Sequence, residues 1–367
     1  MISYKQYLII FVLLISSFSQ AQVIEVTPFP DNKLLHIATI NQESVKLETE
    51  KLSNIKTRNI GSDDSISYDG NVLFIRSKLI KKMDGYWKEV PLPEMNFLRI
   101  SIPLLSMDGK WLVYLERNTT SDIRFARIVF FNVEEEKITD TYEDQIISTI
   151  DINADATRII YYWITNDQSE LVLLNHVNNS FTTNKINTRG TYFTSLGDRM
   201  ISSEYNHQDQ YTHLYITDEI GGKWNDTQDI VLLNETGQKI KSSIFGLANN
   251  GRTILVSTLQ GMAVIHENDG QWNDIEYIGY GSKDGLDQFE LSENGQVIAV
   301  KSLYQNIEDA YFYYDVFVFI RTPDGQWKKF QVNSPSVKTT EEILLTKDGT
   351  QLWWLPMEDS STIMKYQ

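Results

Sequence analysis

Phe289–Val332 reads FELSENGQVIAVKSLYQNIEDAYFYYDVFVFIRTPDGQWKKFQV and holds one complete structural unit. Phe289-Glu290-Leu291-Ser292 alternates apolar and polar residues, as a half-buried strand does. Asn294-Gly295 then supplies a turn, because hairpin turns that match strand twist need positive φ and favour Asn-Gly or Asp-Gly in two residues. A Val/Ile/Ala run at 297–302 follows, the pattern of a strand covered on both faces. After a polar loop come a long strand, Tyr313–Arg321, a second turn at Asp324-Gly325, and a last strand at 327–332. The unit is four antiparallel strands.

The first half of that unit recurs along the chain. Tyr68-Asp69-Gly70 precedes VLFI, and Met107-Asp108-Gly109 precedes WLVY. Ala154-Asp155-Ala156, Leu196-Gly197-Asp198, Asn249-Asn250-Gly251 and Lys347-Asp348-Gly349 each lead into a comparable run. The spacing averages about 46 residues, the length of one four-stranded propeller blade. Four units carry a second signature, a glycine two residues before a tryptophan: Gly85/Trp87, Gly222/Trp224, Gly270/Trp272 and Gly325/Trp327. Because these sit at the same place in each repeat, they read as structural.

The expected fold is therefore all-β: a single β-propeller over 22–367, of seven blades with four antiparallel strands each. The last unit shows only its first hairpin, Glu342–Leu355, with a further strand-like run at 361–366. The N-terminal runs Leu34–Ile40 and Val45–Leu47 complete it in the simplest arrangement, which closes the ring and removes sheet edges. Asp31-Asn32 as the mark of a degenerate eighth blade is the alternative. No Pro/Gly/Ser-rich linker divides the chain, and Glu134-Glu135-Glu136 reads as a solvated turn.

The order strand, Asp-Gly, apolar strand, loop, strand, Gly-x-Trp resembles bacterial propeller repeats of the FG-GAP type, and also the WD40-like repeats of the TolB type. Phe289–Val300 and Val316–Trp327 carry the resemblance most fully, and it extends over most of 60–355. It implies a propeller that serves as a binding scaffold. Some members bind calcium through a D-x-D-x-D-G loop; no such loop occurs here, so calcium is not carried over. Fold alone does not assign a function.

Residues 1–21 read as a cleavable signal peptide, with Lys5 as its basic region, an apolar run from Tyr7 to Ile15, and Ser19 and Ala21 before the cut. Export to the periplasm or the extracellular medium is expected, with no membrane insertion after cleavage, since the apolar run is short of the roughly 20 residues of a spanning helix. Cysteine is absent, so stability rests on a packed core rather than disulfides. Thirty-three basic against 49 acidic residues leave a net charge of −16, which disfavours nucleic acid and anionic lipid as partners.

No catalytic, cofactor-binding or metal-binding residue is nominated. There is no G-x-S-x-G elbow, no P-loop and no H-E-x-x-H helix. The five histidines are His36, His176, His207, His213 and His266. Of these, His207 and His213 lie close together in Tyr205–Tyr215, where a polar inter-strand loop explains them better than ligation. Tyr161-Tyr162-Trp163 and Trp353-Trp354 fall in second strands and read as inter-blade packing. Tyr304, Tyr311 and Phe312 border the longest loop of the best-formed blade, and exposed aromatics there suit sugar stacking or a protein anchor. The sequence thus points to an exported, non-catalytic scaffold that binds a protein or glycan through loops on one ring face and uses no cofactor. The alternative is a polysaccharide-active hydrolase or lyase with carboxylates gathered on that face.

Overall fold

A computed structural model describes residues 22–23, 34–40, 45–51, 65–75, 78–93, 100–117, 125–145, 147–164, 169–178, 180–186, 192–194, 196–206, 211–231, 242–248, 250–258, 261–279, 286–305, 312–332 and 340–356. Seven antiparallel sheets follow one another along the chain. We number them as blades: 1 (65–90), 2 (100–145), 3 (147–186), 4 (192–231), 5 (242–278), 6 (286–331) and 7 (340–356 with 34–51). Each blade keeps its strands in order from first to fourth. The first strands of neighbouring blades touch all the way round, blade 7 against blade 1 included, so they form the inner wall of a closed ring.

Ring closure follows the expected route. The third and fourth strands of blade 7 are Leu34–Ile40 and Val45–Lys51, with His36 opposite Trp354 and Ala38 opposite Leu352. There is no eighth blade among the described residues, and 361–366 lies outside them. A two-residue strand, Gln22–Val23, pairs in parallel with Trp327–Gln331 as a fifth strand on blade 6. The sequence offers no pattern for it; an outer fourth strand presents unpaired backbone groups that any extended segment can meet.

Each junction between adjacent blades has its own apolar cluster, seven in all. In blade 2, Val113, Leu115 and Phe130 face blade 3, while Leu112, Tyr114 and Phe131 face blade 1. Alternation along one strand thus feeds two interfaces, which is why the second strands look continuously apolar. Tyr161 and Trp353 are almost fully buried, and Trp163 and Tyr162 pack on opposite sides of blade 3.

The first turn of each blade differs from the two-residue hairpin expected. In blade 1, Ser67 N–H donates to Val72 O at 2.9 Å and Gly70 N–H to Ser67 O at 3.1 Å, which encloses a four-residue loop. The Ser67 hydroxyl takes a ladder position. It accepts from Val72 N–H at 3.0 Å and donates to Asp69 Oδ1 at 2.8 Å, and that carboxylate accepts from Asn71 N–H at 3.0 Å. Ser106/Asp108, Ser292/Asn294 and Thr346/Asp348 repeat the device. The signature is therefore Ser/Thr-x-Asp/Asn-Gly, whose first member the sequence reading assigns to the strand rather than to the turn. In blade 4 the left-handed residue is Gly197, one position before the one the spacing used. Blade 3 places Ala156 in that conformation at φ 56°. Two-residue turns occur instead in the second hairpins, at Asp84-Gly85, Gly221-Gly222 and Asp269-Gly270, with both φ values positive. Glu134, Glu135 and Glu136 lie in the second turn of blade 2, exposed as expected. The N–H groups of Glu134 and Glu135 both donate to Asn132 Oδ1 at 2.9 Å.

Candidate binding surfaces on the ring

Because strands alternate in direction, both hairpin turns of every blade lie at one end of the ring, here called the turn face. Loops joining second to third strands lie at the other end. Those at 118–124, 165–168, 207–210 and 306–311 are outside the described residues. Tyr311 and His207 fall there. Tyr304 and Phe312 flank the loop as strand residues, with Tyr304 opposite Tyr313 and Phe312 opposite Gln305.

Three other histidines belong to blade packing. His176 lies 3.1 Å from Asp140 and stacks on Phe181. His213 sits in a third strand, 2.9 Å from Asp229, and stacks on Tyr215. Burial lowers the pKa of His266, and neighbouring Glu276 opposes that shift. Among the described residues no three potential ligands group as a metal site.

The Gly-x-Trp tryptophans lie against the preceding blade. Trp224 of blade 4 faces Arg158 of blade 3, and Trp272 of blade 5 faces Arg199 of blade 4, each with the guanidinium 5.8 Å from the ring centre. The two arginines are the first residues of their second strands. Arg158 donates to Gly197 O and pairs with Glu219 at 2.7 Å; Arg199 donates to Gly251 O and pairs with Glu267, both at 2.7 Å. Trp327 donates to Glu276 of blade 5 at 2.6 Å, and Trp87 meets Trp353 edge-on at 5.5 Å. Sequence spacing identifies these tryptophans, but not their arginine and glutamate partners in other blades.

Charged groups also converge on the axis. Asp151, in the first strand of blade 3, accepts from its neighbour Ile152 N–H at 2.8 Å and from Phe193 N–H of blade 4 at 3.0 Å. Burial pushes its carboxyl up to about 6, against the opposing pull of those N–H groups and of Lys347. Lys347 belongs to blade 7, so it acts on Asp151 across the channel; it also lies 3.8 Å from Glu290 of blade 6. At the same mouth, burial raises the Tyr68 phenol, helped by Glu293 and Asp348 of blades 6 and 7. No single segment of sequence reveals this grouping.

The Asp151 shift has a testable sign. Its folded pKa exceeds the ordinary carboxylate value, so the folded chain holds a proton that the unfolded chain releases first. Stability contributed by this group is present below pH 4 and is lost as pH rises to about 6. Relative to wild type, Asp151→Asn should gain about 2–3 kcal/mol between pH 4 and pH 7. Paired urea titrations at the two pH values check this; a constant difference would refute it.

A recess lies on the turn face between blades 1 and 2, with a volume of about 520 Å³. Asp69, Lys81 and Asp84 of blade 1 and Asp108, Lys110 and Glu134 of blade 2 line it. Burial raises the Asp69 and Asp108 carboxyls, but hydrogen bonds from Asn71 and Ser67, and from Ser106 and Lys110, outweigh it and hold both below the usual range.

No family model matches the chain, and no curated protein matches it in sequence. Solved structures match it in fold. A prolyl endopeptidase is 14% identical with a TM-score of 0.50, over 85% of this chain and 43% of that one. The acylaminoacyl peptidase of Pyrococcus horikoshii is 11% identical with a TM-score of 0.51, over 80% and 47%. TolB from Acinetobacter baumannii is 12% identical with a TM-score of 0.42, over 83% and 66%. The chain spans about half the length of these peptidases. What they share with it is the propeller.

Proposed function

We propose that this protein is an exported, non-catalytic ring that binds a protein or glycan through one of its faces. The observation that carries this reading is the convergence on the axis of Asp151, Glu290 and Lys347, from blades 3, 6 and 7, beside Tyr68 and Glu293 at the turn-face mouth. A closed ring is a rigid frame for such groups, and specificity arises where side chains from several blades meet. The Tyr304, Tyr311 and Phe312 loop is a second contact region on the opposite face. Export follows from the signal-peptide pattern of residues 1–21, with the periplasm or external medium as the destination.

Immobilised ring should capture a reproducible partner or glycan from envelope and culture-medium fractions, and Lys347→Glu should reduce that capture. Repeated failure to capture anything, combined with turnover of a glycan panel, would replace this reading with the enzymatic one. One observation favours that runner-up, a hydrolase or lyase: the raised Asp151 carboxyl is protonated for part of the range in which a general acid works. Asp151→Asn would then abolish turnover.

A further inference from the structure

We infer that the recess between blades 1 and 2 is a binding site for a short uncharged saccharide. This rests on the scaffold reading and names a place and a ligand class for it. At the corresponding place in other junctions, side chains fill the space. One residue in each blade donates its backbone N–H to the carbonyl just before the second strand. It is Glu219 in blade 4 and Glu267 in blade 5, the acids that meet Arg158 and Arg199, and it is Val133 in blade 2. The counterpart of those arginines in blade 1 is Val72, which packs with Val133 in the junction core. In blade 4 the residue that donates this N–H stands opposite the tryptophan, Glu219 facing Trp224. In blade 2, where Asn132 pairs with Lys137, Val133 is met instead by Glu136 of the turn, whose carboxylate Lys88 of blade 1 approaches at 3.4 Å. A Val–Val pair therefore stands where an arginine and a glutamate stand elsewhere, and the space above it is left open. The blade 6–7 junction has a similar Val297 and Ile40, but its turn at 41–44 is outside the described residues.

The lining identifies the ligand class. Four carboxylates (Asp69, Asp84, Asp108, Glu134) and two ammonium groups (Lys81, Lys110) surround the recess, while the Lys82 ammonium lies over Trp87 on the blade 7 side. The surplus of carboxylates, with Lys110 already paired to Asp108 at 3.1 Å, disfavours an anionic guest. A polyol can donate to the carboxylates and accept from the lysines at once. The register places Tyr86 opposite Met83 at the tip of the hairpin that walls the recess, on the side facing blade 2, as the Lys88–Glu136 contact shows. Tyr86 is 79% exposed and Met83 48% exposed. An exposed aromatic beside mixed donors and acceptors suits the apolar face of a sugar ring. A recess of this volume lies within the usual range of small-ligand sites.

The test is calorimetric titration of the full chain with a panel of neutral di- to tetrasaccharides, beside anionic and cationic oligosaccharide controls. A neutral member should bind, and Tyr86→Ala and Lys81→Ala should each weaken it about tenfold. Val72→Arg, which installs the side chain found at Arg158 and Arg199, should abolish binding; because Val72 is also core, the exposed Tyr86→Ala is the variant whose melting temperature should hold. Saccharide binding that survives all three changes overturns the location. Binding of only the charged controls, or of no saccharide, overturns the ligand class. Capture of a protein partner that persists in Tyr86→Ala would leave the scaffold reading standing while this inference falls.

Discussion

Arg199→Ala should lower the unfolding free energy by about 3–5 kcal/mol, among the largest single losses in this ring. The guanidinium makes four contacts, three of which join blade 4 to blade 5. It meets Asp218 of its own blade at 2.5 Å and Glu267 of the next at 2.7 Å, donates to Gly251 O, and lies over Trp272. Asp218, Glu267 and Arg199 are all mostly buried, so truncation takes a cationic partner from two carboxylates held largely away from water. An exposed ion pair would contribute at most about 1 kcal/mol, and less in salt. Arg252, exposed on the adjacent turn, is the control, and Arg252→Ala should stay within about 0.5 kcal/mol of wild type. Arg199→Lys keeps the charge but loses the fork, and should recover only part of the deficit. Urea midpoints measured at low salt and at about 0.5 M salt, enough to screen surface charge, decide the matter. A deficit that disappears in salt would show that the pair behaves as a surface contact.

Gly295→Ala should cost about 3 kcal/mol, from two sources that a second variant separates. Gly295 has φ +69°, where an L side chain is strained by about 1–2 kcal/mol. A Cβ there would also come within 2.6–2.7 Å of Thr253 Oγ1, Cβ and Cγ2, on the blade before it. Thr253 is buried and in contact with His266, so it has little freedom to retreat. Gly85 has φ +82° but nothing within 4 Å of the added carbon. Gly85→Ala should therefore cost only the conformational part, about 1 kcal/mol. The difference between the two variants measures the inter-blade contact; equal losses would show that turn conformation alone accounts for both. Gly349 and Gly109 face the preceding blade in the same way, where an added Cβ would come within 2.9 Å of Ser292 and Val72 respectively. These glycines are thus needed for close approach between blades as well as for the turn itself.

Much of the ring is legible in one dimension because its causes are local. Positive φ favours glycine, asparagine or aspartate, burial on both faces favours a Val/Ile/Leu run, and a blade returns after about 46 residues. Even closure is readable, since a half-finished last unit and two unassigned N-terminal runs complete one another. Two features are not. Ser67 and its counterparts act through one hydroxyl that substitutes for a ladder carbonyl, and a lone serine is too common to signal that. Gln22–Val23 pairs with a distant edge through backbone atoms, which leave no mark in the choice of side chain.

The candidate sites are far less legible, for a related reason. Long loops and aromatic runs are visible as composition, and they point to Tyr304, Tyr311 and Phe312. The groups that converge in the described structure come from separate repeats. Asp151 and Lys347 are each ordinary in their own strand and turn, and only the curvature of seven sheets brings them to one channel. The recess between blades 1 and 2 is defined by what Val72 and Val133 fail to fill, and a smaller side chain has no signature until its neighbours are in place. Sequence alone determined the blade, because it follows from backbone periodicity and turn chemistry within about 46 residues, and it narrowed the count to seven or eight; the pairing of Leu34–Ile40 with the last strand decided for seven. Only tertiary structure decided where charges meet and where space remains, because both are properties of neighbours that the chain supplies from different blades.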